Sequence, residues 1–510
     1  MRRRRLIVLV IAVAAVVGAG AFAVVAANRV KGSAAQTAAA YFDSWREGDL
    51  MEMARLVDRP PSDFIARHRE LSEELHVEAL RLTPGPVKST GDGTAEVAFS
   101  GVRVLAEFGE WPFGSTLRLA VRERAWKVLW SPETLHPLLK DGGTLELGET
   151  KSSRVELVTR EGARIPNDSY AEAYLNPLKP EFEQVHRGWV LLSKVPGQPD
   201  KALLTREPEA HVERTTLSRP VQAAAARSLD GTEDSAIIVI RPSTGEILAL
   251  ADRLGGNYSA VRDVFAPGSV FKVITAAALL KSGLDPTAQL ACPASYQIPF
   301  HASYHNADDA DHGTVSFTDA FAHSCNTTFI EQATTKLTMD ELRAAADEWG
   351  FGRSYATGIG GSCGAVPDTD DLDLLALNSI GQGEVVTTPL CMAALAAAVQ
   401  SGTWRSPRLL SEEQVRAIDG VPHKDVPMDE GVTAALRDMM AAVVDHGTAS
   451  GAGLPEGVAG KTGTAEVDGQ TSHGWFIGYR DDLAFCVFVR NGGSGRSAAV
   501  PIAARFFSGL

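Results

Sequence analysis

The chain has 510 residues and a net charge of −14, with 49 Lys and Arg against 63 Asp and Glu, a length that accommodates two or three domains, each with its own core. An acidic balance of this size disfavours nucleic acid as a partner. The five cysteines contain no CxxC pair, a spacing that disfavours zinc, and an odd number cannot be wholly paired within one chain.

The sequence opens on MRRRR and then an uncharged run of 22 residues from Leu6 to Ala27. As a helix that run spans roughly 33 Å, enough to cross a bilayer. The four arginines ahead of it hold the N-terminus in the cytoplasm. The expectation for residues 1–32 is a single-pass anchor in the plasma membrane, with the rest of the chain extracytoplasmic. The alternative is a cleaved signal peptide, since Ala19-Gly20-Ala21 resembles a cleavage site, but a cleavable apolar core normally has only about 7 to 15 residues. Residues 1–32 hold six basic and no acidic residues, so the exported remainder carries −20.

Residues 33–145 begin with helical stretches to about Leu75 and continue from His76 with strands, among them VEALRLT, GTAEVAFSGVRVLA, STLRLAVRER and AWKVLWS. Helices followed by antiparallel strands predict a small α+β domain, read by itself as a spacer. Residues 146–215 are mixed, charged and Pro-rich, with strand-like RGWVLLSKV near their end, and read as a connecting pedestal. From 216 to 510 a further domain is expected, opening with the hairpin SAIIVIRPSTGEILALA and closing with the strands GVAGKTGTAEV, HGWFIGYR and LAFCVFVR. Strands from both ends would form one antiparallel sheet flanked by helices, including one over 431–446 and one from about Ala498. The fold class expected is therefore α+β and multidomain. Cys391 and Cys486 stand in apolar runs and read as core thiols. Cys292 and Cys363 are a candidate disulfide pair, though spacing leaves the pairing open.

One apolar helix in this last domain carries polar chemistry. In FAPGSVFKVITAAALLKSG, residues 265–283, Ser269 stands at the head and Lys272 one turn later, with no polar face between Val270 and Leu280. A lysine inside such a helix needs a partner or a purpose. Residues at i and i+3 share a side, so the Lys272 amine can reach the Ser269 hydroxyl, as nucleophile and base require. Ser269 as a mere helix cap leaves Lys272 unexplained.

Two further motifs follow. Ser324-Cys325-Asn326 stands 55 residues after Ser269, where a short helix capped by Ser316 with Asp319 ends and another begins. Lys461-Thr462-Gly463-Thr464 stands 137 residues beyond Ser324, on a strand followed by two more. Each pattern alone is weak: Lys281-Ser282-Gly283 also fits a loose K-[ST]-G search, and its glycine is more simply a helix C-cap. Order, element and spacing together are specific.

On these motifs, with PGSVFK, SCNTTF, SIGQGEVVTTPLCMAALAAAV and GKTGTAEV before HGWFIGY, residues 216–510 resemble the transpeptidase domain of penicillin-binding proteins, a fold shared with serine β-lactamases. The resemblance implies that Ser269 attacks a peptide carbonyl to form an acyl-enzyme. It implies an oxyanion hole from the backbone N–H groups of Ser269 and Thr464. Lys272 would be the base, its pKa lowered by burial and by Lys461. Ser324 would relay the proton, and Asn326 would hold Lys272 and the substrate amide. Lys461, Thr462 and Thr464 would grip the substrate carboxylate, with Gly463 keeping the strand open for an extended peptide. The implied donor is a peptidoglycan stem peptide ending in D-Ala-D-Ala, which β-lactams mimic. No metal or organic cofactor is implied.

The front of the chain resembles class B penicillin-binding proteins with a nuclear-transport-factor-2-like domain, best at WSPETLHPLL and the glycines after it. That resemblance brings with it a SEDS-type glycosyltransferase partner. The segment SSRVELVTREGARIPNDS replaces the family's usual pedestal pattern. A D,D-carboxypeptidase or a β-lactamase would use the same serine, but DTDDLDLLALN offers no glutamate to activate water. A sensor is disfavoured by a five-residue cytoplasmic tail. A β-lactam-binding scaffold is disfavoured by the intact motifs. Trp475 and Phe476 read as core or cleft wall, His473 as cleft-lining and Glu466 as surface.

Overall fold

The computed structural model describes residues 30–256, 258–419 and 425–510. The run Leu6–Ala27, and with it the expected anchor, lies outside the described residues. Among the described residues no helix is long and apolar enough to cross a membrane. Two compact units form, one from the chain up to Arg154 with Val185–Ala210, the other from Val155–Gln184 with His211–Leu510.

In the first unit, helices α1 (Ala34–Glu47), α2 (Leu50–Leu56) and α3 (Phe64–Glu74) precede an antiparallel sheet in the order β1 (Val77–Gly91), β2 (Thr94–Leu105), β3 (Gly109–Arg122), β4 (Ala125–Val128). The Ser33 hydroxyl starts α1 by accepting from the Gln36 N–H at 3.2 Å, and Gly48 ends it at φ +74, a conformation that costs glycine little. Ala34, Ala38, Tyr41, Phe42 and Trp45 are its buried residues, and their spacing of three to four makes one apolar face. Phe42 and Trp45 meet Phe99 of β2 edge-on, with ring centroids 5.0 and 5.8 Å apart. Alternation along β2 turns Ala95, Val97, Phe99 and Leu105 inward.

Beyond this sheet come β5 (Thr144–Ser152), β6 (Val155–Val158), β7 (His186–Lys194), β8 (Lys201–Arg206) and β9 (His211–Arg214). Strands β5, β7 and β8 form a sheet within the first unit, while β6 and β9 pair in parallel within the second.

The second unit is built on five antiparallel strands. Helix α4 (Arg219–Ser228) leads into β10 (Ser235–Ile240) and β11 (Ile247–Asp252). Then follow α5 (Lys272–Lys281), β12 (Gln289–Cys292), β13 (Ser295–Gln297), β14 (Ser303–His305), β15 (Gly313–Ser316), α6 (Phe317–Ala322), α7 (Asn326–Lys336), α8 (Met339–Glu348), α9 (Leu372–Ser379) and α10 (Pro389–Ser401). The chain closes with β16 (Thr403–Arg405), β17 (Asp425–Pro427), α11 (Glu430–Asp445), β18 (Ala459–Ala465), β19 (His473–Arg480), β20 (Leu483–Val489) and α12 (Val500–Ser508). The sheet order is β11-β10-β20-β19-β18, so strands from both ends of the domain pair, Ile237 opposite Val487, as the sequence predicts. Every residue of β10 is buried, which explains its unbroken apolar run: helices cover both of its faces. Strand β18, carrying Lys461 to Thr464, forms an edge of the sheet.

Two disulfides join Cys292 to Cys325 and Cys363 to Cys391, with Cα atoms 6.1 and 4.7 Å apart, leaving Cys486 a buried free thiol. This corrects the candidate pair Cys292–Cys363 and the reading of Cys391 as a thiol. Strand β12 runs beside the start of α7, where the Thr328 hydroxyl donates to Ala291 O at 2.7 Å, and Cys292 therefore faces Cys325. Cys363 meets the first turn of α10 because Ala365 bridges Val386 just before that helix. An apolar run reports burial, which disulfides and core thiols share.

Candidate active site

Ser269 belongs to a tight turn, Gly268–Phe271, and α5 begins only at Lys272. The turn is pressed between β18 and the loop after α9. Gly268 has φ +54, and a Cβ there would stand 2.3 Å from Thr464 O. Its N–H donates to Gly381 O at 2.8 Å. The indole Nε1 of fully buried Trp475 donates to Ala266 O at 3.0 Å, holding the approach to the turn. Ser269 itself is half-buried.

Lys272 is completely buried and donates to Ser324 O at 2.6 Å, to Asn326 Oδ1 at 2.6 Å and toward Ser324 Oγ at 3.3 Å. Burial first, and the charge of Lys461 second, hold its pKa well below the usual lysine range. The sequence predicts a Lys272–Ser269 hydrogen bond. Among the described residues that bond is absent, because the amine turns to three acceptors on the Ser324–Asn326 segment. One of those acceptors is a backbone carbonyl, which no side-chain motif reveals. Ser324 adopts φ +58, a left-handed conformation uncommon for a residue with a Cβ.

The Ser324–Asn326 segment is held from behind. Asn306, buried, accepts at Oδ1 from the N–H groups of Asn326 and Thr327 at 2.8 and 3.1 Å, and donates from Nδ2 to Pro293 O and Ala310 O, each at 2.9 Å. Cys325, between the two motif residues, is tied to β12 by its disulfide. Asn326 Nδ2 donates to His305 O at 3.0 Å. The predicted capping around Ser316 is present, its hydroxyl accepting from Asp319 N–H at 3.0 Å. Sequence reasoning missed Asn306, which stands just past the hairpin that β13 and β14 form.

Lys461 is fully buried, with Nζ donating to Thr462 O at 3.1 Å and lying 5.4 Å from the centre of the Phe321 ring. Burial lowers its pKa to about 7. At Gly463 a Cβ would lie 2.9 Å from Val270 Cγ1 and 3.0 Å from Pro267 O. The missing side chain lets the strand lie against the Ser269 turn. Gln382, also missed, donates from Nε2 to Thr464 O at 3.3 Å. His473 is buried, accepts from Asn491 N–H at 3.1 Å and packs edge-on against Phe265. Phe476 is core and Glu466 is exposed. The segments carrying Ser269, Lys272, Ser324, Asn326 and Lys461–Thr464 thus meet in one place, the first four about α5 and the last along the adjacent edge strand.

The family described as the penicillin-binding protein transpeptidase domain matches residues 235–508, and that of the NTF2-like N-terminal transpeptidase domain matches 33–143. The chain belongs to the penicillin-binding transpeptidases. Within the family it is similar to the peptidoglycan D,D-transpeptidase PbpA of Mycobacterium tuberculosis, 30% identical over 58% of this chain and 70% of that protein. The MrdA D,D-transpeptidase of Acinetobacter baumannii is 27% identical over 56% of this chain and 52% of its own length. Among solved structures, the ceftriaxone acyl-enzyme of penicillin-binding protein A from M. tuberculosis superposes with a TM-score of 0.53 at 27% identity, covering 60% of this transpeptidase and 81% of that chain.

Proposed function

We propose that this protein is a serine D,D-transpeptidase that cross-links peptidoglycan stem peptides ending in D-Ala-D-Ala through an acyl-enzyme on Ser269, and that β-lactams acylate the same serine. The observation that carries the reading is the buried amine of Lys272 against Ser324 and Asn326. A neutral amine has two N–H donors and one lone pair. The two short contacts, to Ser324 O and Asn326 Oδ1, use the donors, leaving the lone pair to take a proton from Ser269, directly or through the Ser324 hydroxyl. The Ser269 oxygen then bonds to the peptide carbonyl carbon, and the C–N bond to the terminal D-Ala breaks. The proton passes to the leaving amine. The Thr464 backbone lies against Gly268, which supports an oxyanion hole built from the N–H groups of Ser269 and Thr464. Lys461, Thr462 and Thr464 take the substrate carboxylate, the first as its counter-charge.

Transfer to an amine is favoured over hydrolysis because no glutamate stands between Val366 and Leu374 and three of the four aspartates there are engaged elsewhere. Asp371 caps α9, Asp373 accepts from Tyr304 Oη at 2.8 Å and Ala302 N–H at 3.1 Å, and Asp368 pairs with Arg343 at 3.3 Å. In the same reading Leu6–Ala27 anchors the protein in the plasma membrane with the catalytic domain outside, and a SEDS-type glycosyltransferase supplies glycan strands; both parts rest on sequence and family alone.

The test is covalent labelling of the full-length protein with a fluorescent penicillin, followed by peptide mapping. Label is expected on Ser269, absent in Ser269→Ala and slowed by about 10²- to 10⁴-fold in Lys272→Ala, the usual span for loss of a general base. Label elsewhere, or rapid release of the acyl group to water, overturns the reading.

A further inference from the structure

Helix α11 runs into a turn, Gly447–Ser450, that none of the three motifs includes and that touches one of them and the helix leading to another. The Thr448 N–H donates to Ala322 O at 3.1 Å, at the end of the helix leading to Ser324. Gly447 is pressed so close to the same carbonyl that a Cβ would stand 2.3 Å from it. On the other side, the Arg496 guanidinium donates to Thr448 O at 2.8 Å and to Ser450 O at 3.1 Å. The turn is thus clamped between α6 and the segment after β20. Its side-chain link to β18 is a hydroxyl pair, with Thr448 Oγ1 2.5 Å from Thr462 Oγ1.

Each hydroxyl has a single proton, so one of the two donates and the other accepts. A carboxylate only accepts. If Thr462 is to donate to a bound carboxylate, its proton is committed there, and Thr448 must be the donor between the two threonines. We propose that Thr448 is a positioning residue for recognition of the substrate carboxylate: it holds the Thr462 hydroxyl in the one rotamer and the one donor direction that suit an anion. The proposal rests on the reading of this chain as a transpeptidase whose Thr462 meets the carboxylate. Because the clamp on Thr448 is made through its backbone, only the hydroxyl is needed for this role, and valine, of the same shape, removes it alone.

The experiment compares wild type, Thr448→Val and Thr448→Ser as full-length proteins. Each is acylated by a fluorescent penicillin with a free carboxylate and by the same compound methyl-esterified there, and binding is separated from the acylation step. For the free acid, Thr448→Val is expected to weaken binding about tenfold with the acylation step little changed, and Thr448→Ser to recover all but about twofold, the scale of one hydrogen bond to a charged group. For the ester, wild type and Thr448→Val are expected to react alike. Full activity of Thr448→Val toward the free acid overturns the proposal, as does an equal loss toward acid and ester with a lowered melting temperature, which marks a structural role. Failure of wild type to label at Ser269 with the free acid would instead remove the transpeptidase reading beneath it.

Discussion

The Nζ of Lys272 lies 2.6 Å from the Oδ1 of Asn326, inside a core that leaves neither its amine nor that of Lys461 exposed. Two buried amines with mutual influence must divide the available protonation between them. Burial and then Lys461 depress Lys272, whereas burial alone depresses Lys461, to about 7. The proposed mechanism uses Lys272 as the amine that stays neutral and Lys461 as the one that binds as a cation, and the added depression of Lys272 by Lys461 acts in that direction. Acylation needs neutral Lys272, so its rate rises as pH climbs through the Lys272 pKa. Removing the Lys461 charge in Lys461→Gln lets that pKa rise, and the acid limb of the acylation profile should move to higher pH, whatever the overall loss of rate. A pH series of penicillin acylation reads the midpoint. A midpoint that stays in place or moves down denies the coupling.

Lys461 also carries a stability cost that substitution can relieve. An unfolded lysine titrates near 10.4, while burial brings the folded group to about 7. Between these values the unfolded state binds more protons, so stability rises with pH across the window, and the full penalty is present below it. Lys461→Met should stabilise the fold by roughly 1 to 3 kcal/mol at pH 6, with the gain shrinking toward pH 9, while carboxylate binding is lost. Thermal melts at the two pH values, set beside penicillin binding, check both halves. A variant that melts below wild type at pH 6 contradicts the prediction.

The order Ser269–Lys272, Ser324–Asn326, Lys461–Thr464 was legible because catalysis needs particular side chains, and side chains are what a sequence spells. The strands 235–240 and 483–489 were legible as a pair of buried runs whose pairing closes the sheet. What stayed hidden works through backbone. The Ser324 carbonyl accepts a hydrogen bond from Lys272, Gly463 makes room for the Ser269 turn, and Asn306 grips main-chain N–H groups across 20 residues. Any residue supplies a carbonyl, so such contacts leave no composition signal. Cysteine pairing was hidden for a related reason: Cys325 meets Cys292 only once β12 lies along α7.

The disulfide at Cys325 sits between the two residues that hold Lys272, and it closes a loop across a sequence separation of 33. A loop of that length confines the unfolded chain by about 3 to 4 kcal/mol in the chain-entropy treatment. Cys292→Ser with Cys325→Ser should lower stability by that order and slow penicillin acylation, since the backbone bearing Ser324 O and Asn326 loses its tie to β12. Non-reducing peptide maps should link position 292 to 325 and 363 to 391, with Cys486 alkylated only after unfolding. A linkage of 292 to 363, or unchanged acylation by the double variant, contradicts the assignment.

Gly381 decides how closely the loop after α9 can approach the nucleophile. It sits at φ +74, and a Cβ would stand 2.0 Å from Gly268 O and 2.8 Å from Phe271 Cβ, both fixed by the turn that presents Ser269. Gly352 has nearly the same conformation, φ +72, with nothing within 4 Å of its Cβ position, so it isolates the backbone cost from the collision. Gly352→Ala should cost only about 1 to 2 kcal/mol, the penalty of a left-handed conformation, whereas Gly381→Ala adds overpacking against backbone and should cost roughly 2 to 5 kcal/mol. Because the atoms that must yield belong to the Ser269 turn, only Gly381→Ala should also slow acylation in the fraction that remains folded. Denaturant melts of the two variants, paired with penicillin labelling at a temperature where both are folded, separate the contributions. Equal stability losses, or labelling by Gly381→Ala at the wild-type rate, would show that the loop gives way and that its contact with Gly268 does not set the position of Ser269.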